Sequence, residues 1–154
     1  MRILIILIVI GLAALLAFVR LAPVQSDRFH TAGAPRDPGD YPETGRFTAV
    51  RTLAVAPEKA LAAIEQAAQG TDRTRRIAGS VADGMLTFET RSRVIGFPDY
   101  TTVSIIAPGA APGGNDTPLL MIHARLRFGV EDLGVNQRRV VDWLAKLEGL
   151  VTAP

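Results

Sequence analysis

The chain has 154 residues, the length of one ordinary domain, and its formal net charge of +2 is too small to indicate a nucleic-acid partner. Cysteine is absent and histidine occurs twice, which excludes disulfides, a cysteine nucleophile and a multi-histidine metal site. The glycine-rich stretches do not match a phosphate-binding loop, so we predict neither a metal nor a cofactor.

The first predicted element is a membrane-spanning helix. Residues 3–19 are all apolar, and a helix of that length extends about 25 Å, close to the hydrocarbon thickness of a bilayer. A cleaved secretory signal is the alternative, but its apolar region is normally only ~7–15 residues long. We therefore predict an uncleaved signal anchor over residues 1–22.

The orientation of this anchor follows from its position at the N-terminus. Short N-terminal anchors usually keep the N-terminus in the cytoplasm, and Arg2 agrees with that arrangement, whereas Arg20 and Arg28 oppose it. We expect a single pass through the inner membrane, with the domain on the extracytoplasmic, periplasmic side of the cell envelope. Both alternatives for the segment, anchor and signal, export the domain.

Residues 23–45 are predicted to be a tether. Four prolines and three glycines in this stretch interrupt both helical and strand periodicity. The segment is expected to hold the domain away from the bilayer and to lie partly on the domain surface.

The remainder, residues 46–154, is predicted to form one α+β domain. A strand over 47–56 precedes a helix that begins at Pro57 and stops at Gly70, and a final helix covers about 133–150 with Asp132 as its N-cap. Four alternating runs between these helices predict four more strands. The order β-α-β-β-β-β-α indicates an antiparallel sheet of about five strands with two helices on one face.

The pairing of these strands is predicted from their turns. Asp83-Gly84 indicates a two-residue hairpin turn, which places Arg76 directly opposite Arg91. A four-residue loop over 96–99 then brings Arg91 and Arg93 beside the next strand. The sheet face away from the helices thus carries arginines with hydroxyls between them: Arg76, Arg91, Arg93, Thr102, Ser104, Arg125 and Arg127.

Two interpretations of this arginine-rich face remain open. Glu89, Asp99, Glu131 and Asp132 lie close enough in the predicted sheet to pair with the arginines in a solvated lattice of ion pairs. Alternatively, guanidinium groups and hydroxyls bind an anionic partner, because arginine grips phosphate and carboxylate with two parallel hydrogen bonds. The candidate partners are a lipid head group, an acidic polysaccharide or an acidic protein surface.

Catalysis is a weaker interpretation. Asp99 and Asp132 are candidates for an acid–base pair, but each has arginines nearby in the predicted sheet. An arginine partner lowers the pKa of a carboxylate, which suits an ion pair better than a general acid. We assign no catalytic residue and treat both aspartates as structural or alternative carboxylates.

Two segments, TRSRVIGFPDYTTV (90–103) and RLRFGVEDLGVNQRRV (125–140), resemble a bacterial and plastid family, the domain-of-unknown-function family 1499. The matching positions are Arg91, Ser92, Arg93, Phe97, Pro98 and Asp99 in the first segment and Arg125, Arg127, Gly129, Asp132, Gly134, Asn136 and Arg139 in the second. The chain departs from the family pattern at Ala124 and Leu126, where serines are usual, and at Glu131.

The resemblance covers residues 47–150 and implies one α+β domain, often membrane-associated, without specifying a reaction. Gly134, Asn136 and Arg139 belong to its motif at the start of the last helix.

Three functions are compatible with these observations. The first is a non-catalytic binding or accessory module of the cell envelope, anchored in the membrane. The second is an envelope hydrolase or transferase acting on an acidic or phosphorylated substrate. The third is a lipid carrier of helix-grip type, which requires an apolar cavity behind Leu86, Phe88 and Trp143.

Overall fold

A computed structural model describes residues 1–152. In these residues the helices and strands are α1 (Arg2–Leu21), α2 (Ser26–Phe29), β1 (Gly39–Glu43), β2 (Arg46–Thr52), α3 (Pro57–Gln69), β3 (Thr74–Ser80), β4 (Met85–Arg91), β5 (Pro98–Ile106), β6 (Leu119–Leu126) and α4 (Val135–Ala145).

Helix α1 is long and apolar enough to cross a bilayer once. Its mean hydropathy is 3.0 over the most apolar window, and nearly all of its side chains are exposed. Such a surface is unfavourable in water and favourable in hydrocarbon. Val19, near the end of α1, is the exception, because it is buried against the rest of the chain.

The strands form one antiparallel sheet in the order β1-β2-β6-β5-β4-β3. The predicted fold class is confirmed, although the sheet has six strands rather than about five. The additional strand is β1, which lies in the segment predicted as a tether. It is an edge strand, where Pro42 is tolerated because no further strand requires a hydrogen bond from its nitrogen.

The hydrophobic core lies between one face of the sheet and the helices α3 and α4, as predicted. Phe88 of β4 and Trp143 of α4 meet edge to face, with ring centroids 5.5 Å apart. The indole N–H of Trp143 donates a hydrogen bond of 2.9 Å to Thr71, which follows α3. The other core residues include Phe47, Leu61, Ile64, Leu86, Leu120, Ile122, Val140 and Leu147.

The β3–β4 turn differs from the prediction. Ser80 pairs with Met85, so four residues connect the strands instead of two, and a bulge follows Arg76. The Ser80 hydroxyl closes the turn, because it donates to the Asp83 carboxylate at 2.7 Å and accepts from the Asp83 backbone at 3.2 Å. This local bonding outweighs the preference of Asp-Gly for a tighter turn.

The altered register moves Arg76 to the opposite face of the sheet. Arg76 lies beside Phe88, not Arg91, and its guanidinium forms a 2.6 Å ion pair with Glu65 of α3. The predicted Arg76–Arg91 pair is therefore wrong, and Arg76 belongs to the helix-facing side. Arg75 takes its place on the other face, where it pairs with Glu89 at 2.9 Å.

The β4–β5 connection is also longer than predicted. Arg91 pairs with Pro98, so the loop covers 92–97 and Arg93 lies in it instead of on a strand. The Ser92 hydroxyl organises this loop by accepting hydrogen bonds from the backbone of Gly96 and Phe97. The predicted register of β4 and β5 is wrong as a result: Thr102 lies opposite Thr87 and Ser104 opposite Met85, with neither beside an arginine of β4.

Candidate functional site: a cationic cleft at the end of the sheet

The sheet face away from α3 and α4 is covered by the segment that follows α1. Phe29 is buried there and stacks on Tyr100, with ring centroids 4.0 Å apart. Its carbonyl accepts hydrogen bonds from Thr102, at 2.7 Å, and from Arg125. His30 reaches the Thr87 hydroxyl at 2.9 Å. Residues of the predicted tether thus pack on the strands.

The arginines predicted for this face hold the covering segment in place. Arg127 donates to the carbonyl of Pro23 at 2.7 Å and to the Tyr100 hydroxyl at 3.2 Å. Arg91 donates to the carbonyl of Arg20 at 3.2 Å. A guanidinium group has several N–H donors. In Arg91, Arg125 and Arg127 some of these donors bind backbone carbonyls of residues 20–29. Thr102 and Ser104 are buried.

A carboxylate completes this arrangement. Glu89 is 1% exposed and lies between Arg75, at 2.9 Å, and Arg91, at 3.0 Å. A buried charge requires such pairing, because an isolated carboxylate is too costly to remove from water. Around Glu89, the arginines of this face therefore pair with a carboxylate of the protein itself, as the ion-pair interpretation expected.

A cleft of about 810 Å³ opens at the end of the sheet, between the α3–β3 connection, the loop 92–97 and α4. We call it the cationic cleft. Six basic and three acidic side chains line it: Arg73, Arg91, Arg93, Arg138, Arg139 and Lys146, with Asp72, Asp99 and Asp142. Among residues 1–152, Arg93, Arg138 and Lys146 have no salt-bridge partner. The cleft therefore has an excess of positive charge.

Three residues of the family motif, Asp132, Gly134 and Asn136, form the start of α4. Gly134 has φ of 76°, a conformation that suits glycine, and α4 begins at the next residue. The Asp132 carboxylate accepts hydrogen bonds from the backbone of Gly134 at 3.1 Å and Asn136 at 2.7 Å. The prediction of Asp132 as the N-cap is wrong, because Gly134 occupies that position, but the Asp132 carboxylate binds free N–H groups at the helix start from two residues before it.

This geometry brings Asp99, Asn136 and Arg139 together. Asn136 and Arg139 lie one turn apart on α4, with exposed fractions of 0% and 7%. Arg139 donates a hydrogen bond to the Asn136 side-chain oxygen, and its Nη1 lies 3.8 Å from Oδ2 of Asp99 at the start of β5. The family motif residues from two distant segments therefore meet at one end of the cleft.

Burial dominates the electrostatics of this group. It raises the pKa of Asp99 to about 6, and the Arg139 charge only partly opposes that effect. The pKa of Arg139 is lowered by burial as well. The expectation that a nearby arginine depresses the pKa of this carboxyl is wrong for Asp99, because a 3.8 Å separation gives too little compensation for the loss of water.

Several buried polar atoms in this group have no hydrogen-bond partner within residues 1–152. They are Nε of Arg139, Nδ2 of Asn136 and Oγ1 of Thr101. Thr101 follows Asp99 on the same face of β5 and is fully buried. Unpaired buried donors are costly, by about 1–3 kcal/mol each. The nitrogen atoms are donors, and the guanidinium of Arg139, which lines the cleft, would be stabilised by an anion or a polar molecule with acceptor atoms.

The structure divides the predicted site residues into separate groups. Arg125, Arg127, Thr102 and Ser104 lie under the covering segment, and Arg76 lies on the other face. Arg91, Arg93, Asp99 and Arg139 line the cleft. Sequence reasoning missed Arg73, Arg138 and Lys146, because they lie outside the alternating strands, and only Arg138 had a signal, its position beside the motif residue Arg139.

Comparison with known proteins identifies a family. A family model described as "Protein of unknown function (DUF1499)" matches residues 20–147. A search of curated proteins gave no match. The matched range begins at Arg20, well before residue 47, where the sequence resemblance began, and so includes the segment that covers the sheet. Since the match covers most of the chain, this protein belongs to the DUF1499 family.

Proposed function

We propose that this protein is a membrane-anchored, non-catalytic binding module that takes a small anionic group into the cationic cleft. One observation carries the proposal. Arg139 is almost completely buried at the cleft, it has an unpaired Nε, and five further basic side chains line the same cleft. Such a guanidinium is stabilised by a phosphate or carboxylate that accepts its free hydrogen bond.

The proposed location is the inner membrane, with the domain on the extracytoplasmic side. The apolar helix α1 supports the anchor, and Arg2 at its N-terminal end supports a cytoplasmic N-terminus. The anionic group would then belong to the cell envelope.

The cleft is a better candidate than the arginine-rich sheet face that the sequence predicted. On that face the guanidinium groups of Arg91, Arg125 and Arg127 already donate to backbone carbonyls. Arg93 and Lys146, in contrast, are exposed at the cleft. Exposed cations beside a buried one attract an anion from solution and then share its charge.

An enzymatic function is the second candidate, because Asp99 is a buried carboxyl with a pKa of about 6 in the same cleft. A carboxyl with that pKa is partly protonated near neutral pH and can protonate a leaving group. Asp132 is engaged by the backbone of α4 and does not supply a second carboxylate. The lipid-carrier function has less support, since Leu86, Phe88 and Trp143 pack tightly in the core.

The binding proposal is tested with the full chain in a neutral detergent. Trp143 is the single tryptophan of the protein and lines the cleft, so its fluorescence reports on binding there. We expect inorganic phosphate to change this fluorescence in a saturable manner, with an affinity that falls as salt is added. Arg139→Gln should weaken the affinity by about ten-fold or more, because it removes a charge-assisted hydrogen bond.

The matched control is Arg36→Gln, which removes the same charge far from the cleft, where Arg36 pairs with Glu43. Because Arg139 is buried, Arg93→Gln serves as a second variant that leaves packing unchanged. The proposal would be contradicted if phosphate produced no saturable change in fluorescence. It would also be contradicted if Arg36→Gln weakened phosphate binding as much as Arg93→Gln. Turnover of phosphate esters that is abolished by Asp99→Asn would favour the enzyme.

A further inference from the structure

We propose that the anion bound in the cationic cleft is the phosphate of an anionic membrane lipid, which reaches the cleft from the bilayer in which α1 is anchored. This inference rests on the proposed binding function and on α1 as the anchor. It names the ligand class and the direction from which the ligand enters.

The end of α1 is attached to the loop that borders the cleft. The Arg20 guanidinium donates to the carbonyls of Val94, at 2.9 Å, and Ile95, at 3.2 Å. Phe18 contacts Phe128 with ring centroids 6.1 Å apart. When α1 spans a bilayer, its last turn lies at the membrane surface. The loop 92–97 and Phe128 therefore lie at that surface too.

A continuous basic groove connects this point with Arg139. A second cleft, of about 550 Å³, is lined by Arg20 and Gly96 and also by Arg75 and Glu89. It shares four residues with the cationic cleft: Arg73, Arg91, Ser92 and Arg93. The two clefts thus adjoin at Arg73, Arg91 and Arg93, and Arg20 at the end of α1 borders one of them while the buried Arg139 borders the other.

Exposed apolar side chains lie in the two loops that contact the end of α1. Val94 is 79% exposed, Val130 77% and Leu133 79%, and all three lie in the loops next to the end of α1. Leu133 also has φ of 52°, which is costly for a bulky side chain. Exposed apolar residues beside basic ones are typical of surfaces that rest in the interfacial region of a bilayer.

The position of the groove favours a lipid over a soluble anion. A site for a soluble anion gains nothing from an entrance beside the anchor or from exposed valine and leucine side chains. A lipid phosphate lies at the depth of Arg20 and of the loop that carries Arg93, and anionic lipids attract basic residues at the membrane surface. Acidic polysaccharide lacks an apolar part that Val94 and Leu133 would contact, and an acidic protein partner would not need an entrance at the bilayer surface.

The test uses the full chain in lipid nanodiscs of phosphatidylcholine, in which phosphatidylglycerol progressively replaces the neutral lipid. Trp143 fluorescence and hydrogen exchange of residues 92–97 and 133–139 are measured together. We expect phosphatidylglycerol to change the fluorescence and to slow exchange in the loop 92–97 and at the start of α4. Arg93→Gln should raise the half-maximal fraction of phosphatidylglycerol about five-fold, whereas Arg36→Gln should leave it unchanged.

Inorganic phosphate added to pure phosphatidylcholine discs separates this inference from the binding function on which it rests. If phosphate changes the Trp143 signal while phosphatidylglycerol does not, the lipid assignment is overturned and the binding function stands. If neither anion has an effect, both are overturned. A response to phosphatidylglycerol that Arg93→Gln and Arg36→Gln share equally would overturn the groove as the route.

Discussion

Phe29 lies against Tyr100 with ring centroids 4.0 Å apart and ring planes inclined by 20°. The two residues come from the segment after α1 and from the middle of the sheet, and both are buried. The Arg125 guanidinium lies 5.2 Å from the Phe29 ring centroid on the same face. This contact makes the segment part of the folded domain and fixes the distance between the domain and the end of α1.

The first prediction concerns this contact. Phe29→Ala should lower the free energy of unfolding by roughly 3 kcal/mol, because it removes a buried ring and exposes Tyr100. Chemical unfolding of the full chain in a neutral detergent measures the change. Val24→Ala, a partly exposed position in the same segment, is the control and should cost less than about 0.5 kcal/mol. Equal and small effects would show that the segment is detached from the sheet in solution.

The second prediction concerns the pH dependence of stability through Asp99. Burial raises the pKa of Asp99 from 3.8 in the unfolded chain to about 6 in the folded one. Between these values the folded chain binds a proton that the unfolded chain has lost, so stability decreases as pH rises through this window. The ionised form is disfavoured by on the order of 3 kcal/mol. Asp99→Asn should therefore gain stability relative to wild type between about pH 4 and pH 7.

His123 has the opposite effect on the pH dependence of stability, in nearly the same pH range as Asp99. Burial, with help from the Arg125 charge, lowers the pKa of His123 from 6.5 to about 4. Here the unfolded chain binds the proton first, so stability decreases as pH falls. The two contributions oppose each other in the wild type, and the comparison with Asp99→Asn isolates one of them. A difference between the two proteins that is constant with pH would contradict the burial of Asp99.

The third prediction links anion binding to protonation of Asp99. An anion beside Arg139 raises the pKa of Asp99 further, so binding takes up a proton and strengthens as pH falls. We expect the affinity for sulfate, whose charge is constant in this range, to rise about five-fold or more between pH 7 and pH 5. Trp143 fluorescence provides the readout. Asp99→Asn should remove the pH dependence of the affinity. If the pH dependence persisted in this variant, another titratable group would be responsible for it.

The fourth prediction concerns the start of α4. Asp132→Ala should destabilise the domain by about 1–2 kcal/mol, because the carboxylate accepts two backbone hydrogen bonds there. The neighbouring Glu131 is exposed and provides the control, since Glu131→Ala should cost less than about 0.5 kcal/mol. Unfolding curves decide the matter, and equal losses for both variants would show that the capping contacts contribute nothing.

The fifth prediction concerns Leu133, whose positive φ is costly and whose side chain is exposed. Leu133→Gly should raise the stability of the detergent-solubilised protein by about 1 kcal/mol, because glycine adopts this conformation without strain. Val130→Gly is the matched control, at an exposed position without positive φ, and should not stabilise the protein. A loss of stability in Leu133→Gly would mean that the leucine side chain packs against the domain.

The local pattern of the sequence was sufficient for the fold class. Alternating apolar residues in β4, β5 and β6 and helical spacing in α3 and α4 report directly which residues turn toward the core. The helix from Pro57 to the residue before Gly70 is confirmed to the residue. The motifs around Asp99 and Asn136 were sufficient for the family. These features depend on residues that lie close together in the chain, so they can be recognised from the sequence alone.

The register of the strands and the segment that covers the sheet became clear only from the tertiary structure. The Ser80 hydroxyl contact changed the β3–β4 register, and the bulge after Arg76 sent that side chain to the other face. Strand β1 was hidden because an edge strand tolerates proline and glycine. The carbonyls that satisfy Arg125 and Arg127 come from about a hundred residues earlier in the chain.

The candidate site shows the same division. Arg91, Arg93, Asp99 and Arg139 were recognised from their motifs, but the sequence alone placed Arg91 and Arg93 on an open sheet face. Only the packing of α4 against the end of the sheet brings Arg139 beside Asp99 and leaves a cleft between them and the loop 92–97. Residue type and periodicity determine which side chains carry charge and which strands form. Contacts between segments distant in sequence determine which charges remain free to bind.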